Sequence, residues 1–357
     1  MPKISIIIPV YNVAPYLRQC LDSVINQTFK DIEIICIDDC STDGSLAILK
    51  DYAALDNRIT IIEQKSNQGV GVVRNIGEKN ATADYILFLD SDDYIAQDLC
   101  EKLLNKFAAN DVDAVYFNSA FFQDGCDNFL TNRDRLKDIS QKIPPTEIFR
   151  ASQYYESVTK LTNPVWYKCY KKDFLLKHNI FCSEVRWFED SFFTVNFLLA
   201  DPKLSYINEF LHFYRIRANS LSKNIDKKVD IFFNEYEKCM NSILSSELSL
   251  QNKLFFIKAR VRWLHYWTHN KIKSKKCRQL NQIRRKKYFE QILSLFSFSD
   301  IQKAKFGKHF WEDLYAIGKF GLSFYKDYSC GYLRYRVKFL IFKFSYTPKE
   351  TKRQKLA

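Results

Sequence analysis

The sequence predicts an α/β fold, in which a Rossmann-like, doubly wound mixed sheet is flanked by helices. Four short, isoleucine-rich runs are apolar almost throughout, as in parallel strands that are buried on both faces: 4–10, 32–37, 59–63 and 85–89. Helical patterns lie between these runs, at 15–26, 45–54 and 69–79. Strands that alternate with helices are typical of βαβ units.

Composition narrows the class of protein further. The chain has 357 residues, of which 46% are hydrophobic and 16% aromatic, which is enough for a packed core. Its ten cysteines follow no regular spacing, and the first residues do not resemble a secretory signal. We therefore expect reduced thiols and a cytosolic protein. No apolar run approaches the ~20 residues that cross a bilayer.

Charge is distributed unevenly along the chain. The net charge is +13, yet residues 1–100 carry 8 Lys and Arg against 15 Asp and Glu. Residues 101–357 carry 46 basic and 26 acidic residues. An acidic N-terminal part joined to a basic C-terminal part indicates a polyanionic partner, either a membrane or a nucleic acid.

The most informative motif is the acidic turn that follows the fourth strand, Asp90-Ser91-Asp92-Asp93. Three carboxylates within four residues repel one another and gain nothing from an apolar core. A divalent cation removes this conflict, because hard cations prefer carboxylate oxygens. We expect Asp92 and Asp93 to bind Mn²⁺ or Mg²⁺, with Asp90 in support. A solvated acidic turn without a ligand is the alternative.

The ends of the first two strands also carry candidate ligand-binding residues. Pro9 and Tyr11 end the first strand, and Asp38 and Asp39 end the second. Open α/β sheets bind ligands at the carboxyl ends of their strands, where an acidic residue accepts hydrogen bonds from a nucleotide. Successive side chains point to opposite faces, so one aspartate can face the ligand while the other supports the backbone. A turn that caps the next helix is the alternative.

A segment with two glycines opens the third helix: Asn67-Gln-Gly69-Val-Gly71-Val-Val-Arg74-Asn75. Glycine allows the backbone to approach a neighbour closely. Arg74 would lie one turn into the helix, where an arginine suits a diphosphate that it can bind through two parallel hydrogen bonds.

In this order and spacing, the motifs resemble those of the family 2 glycosyltransferases, whose nucleotide-diphospho-sugar-binding fold is called GT-A. The matching segments are the first strand through Asn12, the first helix at 21–28, Asp38-Asp39-Cys40-Ser41-Thr42-Asp43-Gly44-Ser45, 67–77, and the metal-binding Asp-x-Asp at 90–93. Two departures are Cys40, where the family usually has Gly, and Val73, where it usually has Ala. The resemblance implies that the donor contacts Pro9, Tyr11, Asp38, Asp39, Asn67, Arg74, Asp90, Ser91, Asp92, Arg215 and Arg217.

The resemblance continues, in part, over 160–222. Trp187-Phe-Glu189-Asp190-Ser-Phe-Phe193 resembles the family's Glu-Asp-x-x-Phe element, and 212–222 resembles its Tyr-Arg…Ser-x-Ser segment. By this resemblance Asp190 is the catalytic base, and Arg215 or Arg217 closes over the diphosphate. The residues expected to support the site are Glu189, Asn75 and Tyr214. A helix N-terminus with favourable acidic residues is the alternative at 189–190.

The resemblance also implies a domain organisation and an activity. We expect a GT-A catalytic domain at 1–222, with a nucleotide-sugar-binding half at 1–118 and an acceptor-side half at 146–222. A helical, basic C-terminal extension would occupy 223–357.

The expected activity is inverting, metal-dependent transfer of a hexose or N-acetylhexosamine from a UDP-sugar to a growing surface glycan, such as lipooligosaccharide, lipopolysaccharide or capsule. A single base suits inversion, whereas the covalent retaining route needs a second positioned carboxylate.

The basic residues of the C-terminal part are concentrated in two segments. Residues 271–288 hold nine Lys and Arg and no acidic residue, and 334–357 hold eight with one glutamate. Aromatic residues interleaved with basic ones suit an anionic membrane, each charge adding about 1 kcal/mol. We therefore expect a peripheral protein at the inner face of a bacterial membrane, acting on a lipid-linked acceptor. A solvated basic face is the alternative. Nucleic acid is the least favoured partner, because no recognition motif accompanies the charge.

Two other functions fit parts of the pattern. A nucleotidyltransferase shares the nucleotide-binding sheet and the carboxylate-bound metal, and it releases pyrophosphate instead of a nucleoside diphosphate. A non-catalytic adaptor for membranes or nucleic acids would use the basic surface alone, but the four aspartates at 90, 92, 93 and 190 argue against a degenerate site. The oligomeric state stays open, and a homodimer is one option.

Overall fold

The computed structural model describes residues 1–125, 129–130, 147–159, 164–185, 187–217, 228–270, 322–327 and 334–339. The chain divides into two compact units, Met1–Asn224 with Asp230–Phe256, and Ile225–Val229 with Ile257–Ala357. The domain boundaries expected from the sequence stay a prediction.

The first 80 residues form the βαβ layers that the sequence predicts. The elements are β1 (Ile4–Val10), α1 (Ala14–Ile25), β2 (Ile32–Asp38), α2 (Ser45–Leu55), β3 (Ile59–Glu63) and α3 (Val70–Asn80). Every residue of β1 is buried, because the strand is covered on both faces. Burying a side chain such as isoleucine contributes roughly 1.5–3 kcal/mol, so this strand anchors the core. β1 runs parallel to β2, and β2 runs parallel to β3.

The sheet continues beyond the fourth strand and becomes mixed. The elements are β4 (Tyr85–Phe88), β5 (Tyr94–Ile95), α4 (Leu99–Ala109), β6 (Ala114–Gln123), β7 (Phe129–Leu130), β8 (Phe149–Arg150), a 3₁₀ helix (Ala151–Tyr154), α5 (Tyr155–Val158), β9 (Lys168–Lys171), α6 (Lys172–Lys177), α7 (Glu189–Leu199) and β10 (Lys203–Ile216). The strand order is β3-β2-β1-β4-β9-β6-β10-β5, with β7 on β6 and β8 on β10. β9 is antiparallel to both β4 and β6. The predicted mixed α/β sheet is confirmed.

The C-terminal part is only partly helical. α8 (Val229–Ser245) and α9 (Leu250–Asn270) are followed by an antiparallel pair, β11 (Leu322–Asp327) and β12 (Arg334–Phe339). The helical extension expected over 223–357 is therefore wrong for residues 322–327 and 334–339, which form strands. In 334–339 basic and apolar residues alternate, and this two-residue period favours a strand pair. The basic segment 271–288 and most of the basic segment 334–357 lie outside the described residues.

Two expectations about the chain can be checked directly. The seven cysteines in the described ranges are free thiols, and six of them are buried. Within those same ranges, no helix combines the length and the apolar character that a membrane crossing requires.

Candidate functional site

The candidate site lies where β2, β1 and β4 end side by side. β1 pairs in parallel with both neighbours, so their carboxyl ends meet at one edge of the sheet. Val10 is paired with Asp38, and the backbone N–H of Leu89 donates to Ile7 at 3.0 Å. The acidic turn therefore follows β4 next to the residues that end β1 and β2, which is where such sheets bind ligands.

The two aspartates after β2 have different partners, although both are buried. The carboxylate of Asp39 accepts backbone N–H groups from Gln68 at 2.6 Å and Gly69 at 2.9 Å. Oδ2 of Asp38 accepts the backbone N–H of Ser41 at 3.1 Å. Oδ1 of Asp38 has no hydrogen-bond partner among the described residues. Asp39 therefore stabilises the loop before α3. Oδ1 of Asp38 remains available to accept a hydrogen bond from a ligand.

Tyr11, Cys40 and Asn67 surround these aspartates at the carboxyl-end edge of the sheet. Tyr11 is 43% exposed, whereas Pro9 is buried within β1. Cys40 has a left-handed backbone with φ 63°, which explains why the family usually has glycine there. Asn67 directs its amide towards the Asp39 carbonyl at 3.4 Å. The aromatic ring of Tyr11 is thus accessible next to the buried aspartates.

In the acidic turn, two carboxylates are paired with arginines. Oδ1 of Asp90 lies 2.6 Å from Nη2 of Arg74, and Oδ2 of Asp92 lies 2.6 Å from Nε of Arg217. Their side chains remain 26% and 19% exposed. Ser91 is buried within the turn.

Asp93 points into the protein. Its side chain is 1% exposed, and Oδ1 accepts the backbone N–H of Arg215 at 2.8 Å. Oδ2 lies 3.4 Å from Nε2 of His212, whose Nδ1 is 2.9 Å from the Ser119 hydroxyl. Burial, together with the charge of Asp90, holds the pKa of Asp93 well above its usual value. Burial also lowers the pKa of His212 to about 3, so this imidazole is neutral.

The turn is only a partial match to the metal site expected from the sequence. Asp93 directs its oxygens towards Arg215 and His212 of β10, and its expected role as a ligand stays a prediction. Burial, with a contribution from Asp93, raises the pKa of Asp92 to about 7, while Arg217 opposes the rise. The described residues contain no group of three or more His, Cys, Asp or Glu side chains that could hold a metal. Asp90 and Asp92 supply carboxylate oxygens of the right chemistry, and Mg²⁺ typically completes so small a set with substrate phosphates.

The structure places Arg74 in a buried network of ion pairs. Its buried guanidinium pairs with Asp90 through Nη2 and with Glu189 through Nη1. Burial disfavours its charge, but the two carboxylates keep the pKa of Arg74 well above its usual value. Two carboxylates thus engage this arginine in the structure, and its expected contact with the donor stays a prediction.

Arg215 is likewise engaged within the protein. Its Nε donates to the Asp92 carbonyl at 2.9 Å, its Nη1 to Asp124 at 3.0 Å, and its Nη2 to Gln19. The guanidinium also lies 5.0 Å from the ring of Tyr16. Among the described residues, Arg217 has fewer partners than Arg215, namely Asp92 and the ring of Tyr16. Tyr214 packs against Trp166 and Phe121.

The predicted base stands in the first turn of α7. Glu189 and Asp190 begin this helix, directly after Phe188, which has a left-handed backbone with φ 68°. Burial raises the pKa of Glu189, and the charge of Arg74 opposes the rise. Asp190 is half-buried. The structure therefore connects the acidic turn to α7 through Arg74, although the role of Asp190 stays a prediction.

Several residues at this edge were missed from the sequence. Gln19 on α1 and Asp124 after β6 bind the Arg215 guanidinium, and His212 on β10 contacts Asp93. The pattern of α1 indicates only its apolar face, and a polar residue on the other face carries no signal.

Comparisons with known proteins agree with the fold. Residues 5–170 match the family model described as Glycosyl transferase family 2. The putative glycosyltransferase EpsH of Bacillus subtilis is 35% identical over 234 residues, which are 64% of this chain and 65% of EpsH. The poly(ribitol-phosphate) beta-glucosyltransferase of Bacillus spizizenii is 30% identical over 71% of this chain and 38% of that protein.

A solved structure shares the fold at lower identity. TarS 1-349 of S. aureus, in complex with UDP-GlcNAc, superposes with a TM-score of 0.69 at 19% identity, covering 94% of this chain and 97% of that chain. The chain spans between 32% and 65% of the length of the first curated relatives that it matches. Residues 5–170 are thus similar to glycosyl transferase family 2, and the chain shares the GT-A fold of TarS.

Proposed function

We propose that the chain is an inverting, metal-dependent glycosyltransferase that moves a hexose or N-acetylhexosamine from a UDP-sugar to a hydroxyl of a growing surface glycan. One observation carries the proposal. Arg74 pairs with both Asp90 and Glu189, which brings the acidic turn and the residue before Asp190 to one guanidinium. Arg74 thus links the acidic turn, which we assign to the diphosphate, to the start of the helix that carries the candidate base.

The donor nucleotide fits the ends of β1 and β2. The exposed ring of Tyr11 offers a stacking surface for a base, and Oδ1 of Asp38 offers a buried acceptor for a base N–H. Asp39 acts through the loop that it braces, at Gln68 and Gly69. The complex of TarS with UDP-GlcNAc supports a uridine nucleotide, since that protein shares the fold.

Mn²⁺ or Mg²⁺ would be held by Asp92, with Asp90 beside it. When bound, the cation would supply positive charge to the leaving diphosphate. We assign a similar role to the positive charge of Arg217, which pairs with Asp92. Charge placed where negative charge develops is usually the largest contribution to catalysis.

Asp190 is the base that removes the proton from the attacking hydroxyl. A positioned carboxylate of this kind contributes about 10²- to 10⁴-fold. Asp190 stands half-buried in the first turn of α7, a position that favours acidic side chains.

The acceptor is a surface glycan on a lipid carrier, at the inner face of a bacterial membrane. The similarity to a poly(ribitol-phosphate) beta-glucosyltransferase supports a cell-surface polymer. The basic, aromatic C-terminal segments would provide the contact with anionic lipid.

Nucleotide release from a donor panel tests this function. The purified chain would be incubated with UDP-, GDP- and CDP-sugars, with Mn²⁺ and with EDTA, and with membranes from a surface-glycan-producing bacterium as acceptor source. We expect UDP from one UDP-sugar in the presence of Mn²⁺ only. Release of pyrophosphate from a nucleoside triphosphate, or the failure to bind and turn over any nucleotide sugar, would overturn the proposal.

A further inference from the structure

One face of α3 contacts the segment that leads into α7. Gly71, Arg74 and Asn75 are spaced by three and four residues, so they lie on the same side of the helix. Each contacts a different part of the segment 182–189. The contacts combine a close backbone approach, an ion pair and a pair of amide hydrogen bonds.

The Asn75 side chain binds the backbone of one residue in both directions. Its Nδ2 donates to the Cys182 carbonyl at 2.9 Å, and its Oδ1 accepts the Cys182 N–H at 2.9 Å. Two hydrogen bonds from one planar amide fix both the position and the orientation of this peptide. Only Asn has the required donor and acceptor at this length, because Asp lacks the donor and Gln adds a methylene group.

Gly71 allows the segment to lie directly against α3. A Cβ at this position would overlap the Ser183 carbonyl oxygen and lie 2.9 Å from Cβ of Glu189. The glycine is thus required for space, since its helical backbone needs no positive φ. Any side chain here would push the start of α7 away from α3.

Arg74 ties the end of the segment to the acidic turn. It pairs with Glu189 on one side and Asp90 on the other, in a buried setting. Two further contacts come from α8, since Phe188 packs on Phe232 and Lys238 donates to Ser183 at 2.8 Å. Described residues on both sides of position 186 therefore contact both α3 and α8.

We propose that Gly71, Arg74 and Asn75 are positioning residues that hold the start of α7, and with it Asp190, at a fixed place relative to Asp90 and Asp92. We call these three residues the clamp. Within it, Arg74 balances the negative charges of Asp90 and Glu189 and does not bind the donor diphosphate. The inference rests on the proposed function, because Asp190 matters here as the base. It predicts that loosening the clamp slows transfer and leaves donor binding intact.

Asn75→Ala tests the clamp, with Asn80→Ala as its matched control. Asn80 is also on α3, but the partner of its amide within the described ranges is the Ile76 carbonyl of the same helix. For Asn75→Ala we expect kcat to fall about 10- to 100-fold, as for a catalytic group displaced by about 1 Å, with the donor KM changed less than ~3-fold. Amide hydrogen exchange at 182–190 should rise about 10-fold or more, because the segment opens locally. The control should change neither.

The variant Arg74→Met distinguishes a positioning role of Arg74 from a role in binding the donor. The matched control is Lys79→Met, at an exposed position of α3. The clamp predicts faster exchange at 182–190 and an unchanged donor Kd by calorimetry. A donor Kd weakened more than about tenfold, with exchange at 182–190 unchanged, would overturn the inference. If Arg74→Met does not fold, Asn75→Ala and Gly71→Ala decide the question by the same readouts.

The two proposals can fail separately. Hydrogen exchange is measured without a donor, so unchanged exchange at 182–190 in both Asn75→Ala and Gly71→Ala would overturn the clamp whatever the activity. Lack of turnover and donor binding in the unsubstituted protein would instead count against the proposed function.

Discussion

Asp93 accepts a hydrogen bond from the backbone N–H of Arg215 at 2.8 Å, and this bond joins the acidic turn to β10. The two residues are 122 positions apart in the chain, and both are buried. Of the three neighbouring aspartates, Asp93 therefore has a structural role. Asp90 and Asp92 are left for chemistry at the exposed side of the turn.

Asp93→Ala should lower the free energy of unfolding by about 1–3 kcal/mol, because it leaves a buried donor without its partner. Asp93→Asn keeps an oxygen for the Arg215 N–H, so it should cost less than Asp93→Ala. Urea unfolding measures both.

Asp93→Asn should also retain metal-dependent activity within about tenfold, whereas Asp92→Asn should lose about 100-fold or more. Equal losses in the two Asn variants would show that Asp93 is a ligand after all.

Arg217→Met should strengthen the binding of Mn²⁺ in the absence of donor. Arg217 pairs with Asp92 at 2.6 Å, so a cation must compete with it for the carboxylate. We expect the Kd for Mn²⁺ to fall about 3- to 10-fold, equivalent to an ion pair of about 1 kcal/mol. Titration calorimetry checks this, with Arg18→Met as control, since Arg18 pairs with Asp51 on the surface. Weaker binding in Arg217→Met would contradict the assignment of Asp92.

Cys40→Gly should stabilise the protein by about 0.5–1 kcal/mol, because a left-handed conformation is costly for a residue with a Cβ. The reference is Cys40→Ala, which keeps the Cβ and the strained φ of 63°. Thermal unfolding of the two variants compares them directly. A glycine variant less stable than the alanine variant would mean that the Cys40 conformation carries no strain.

Glu78→Gln should stabilise the protein at alkaline pH. Burial raises the pKa of Glu78 to about 7 from 4.5, and Lys172 only partly opposes the rise. A raised pKa means that the folded state holds the proton more tightly, so this stability is complete below pH 4.5 and is lost as the pH rises through 7. The advantage of Glu78→Gln should therefore grow by up to about 3 kcal/mol between pH 4 and 8.

Urea unfolding across this pH range checks the Glu78 prediction. Glu101→Gln, at an exposed position of α4, controls for the loss of one negative charge. A constant difference between Glu78→Gln and the unsubstituted protein at all pH values would contradict the prediction.

Much of the N-terminal fold could be predicted from the sequence. The bounds of β1 and β3 agree with the isoleucine-rich runs, because continuous apolar character is a local property of buried parallel strands. β10 was not predicted, since its residues 207–210 form a bulged, partly exposed stretch that breaks any simple period. Pairings between distant strands depend on the whole sheet.

In the candidate site, too, local features could be predicted from the sequence, whereas contacts between distant residues could not. The motifs identified which residues gather at the edge, because the ends of parallel strands meet there. They could not identify partners: Arg74 is 115 positions from Glu189, and only the packing of α3 on the start of α7 brings them together. A diphosphate was therefore the expected partner of an arginine whose actual partners are carboxylates.

The most direct test of the account compares Asp190→Asn with the unsubstituted protein, using the UDP-sugar found in the donor screen. Turnover is measured by UDP release with acceptor, and donor affinity by calorimetry, on variants with matching circular dichroism spectra. The account predicts a loss of about 10²- to 10⁴-fold in kcat with a donor Kd within about threefold. Unchanged turnover, or an equal loss of turnover and donor binding in the folded variant, would contradict Asp190 as the base.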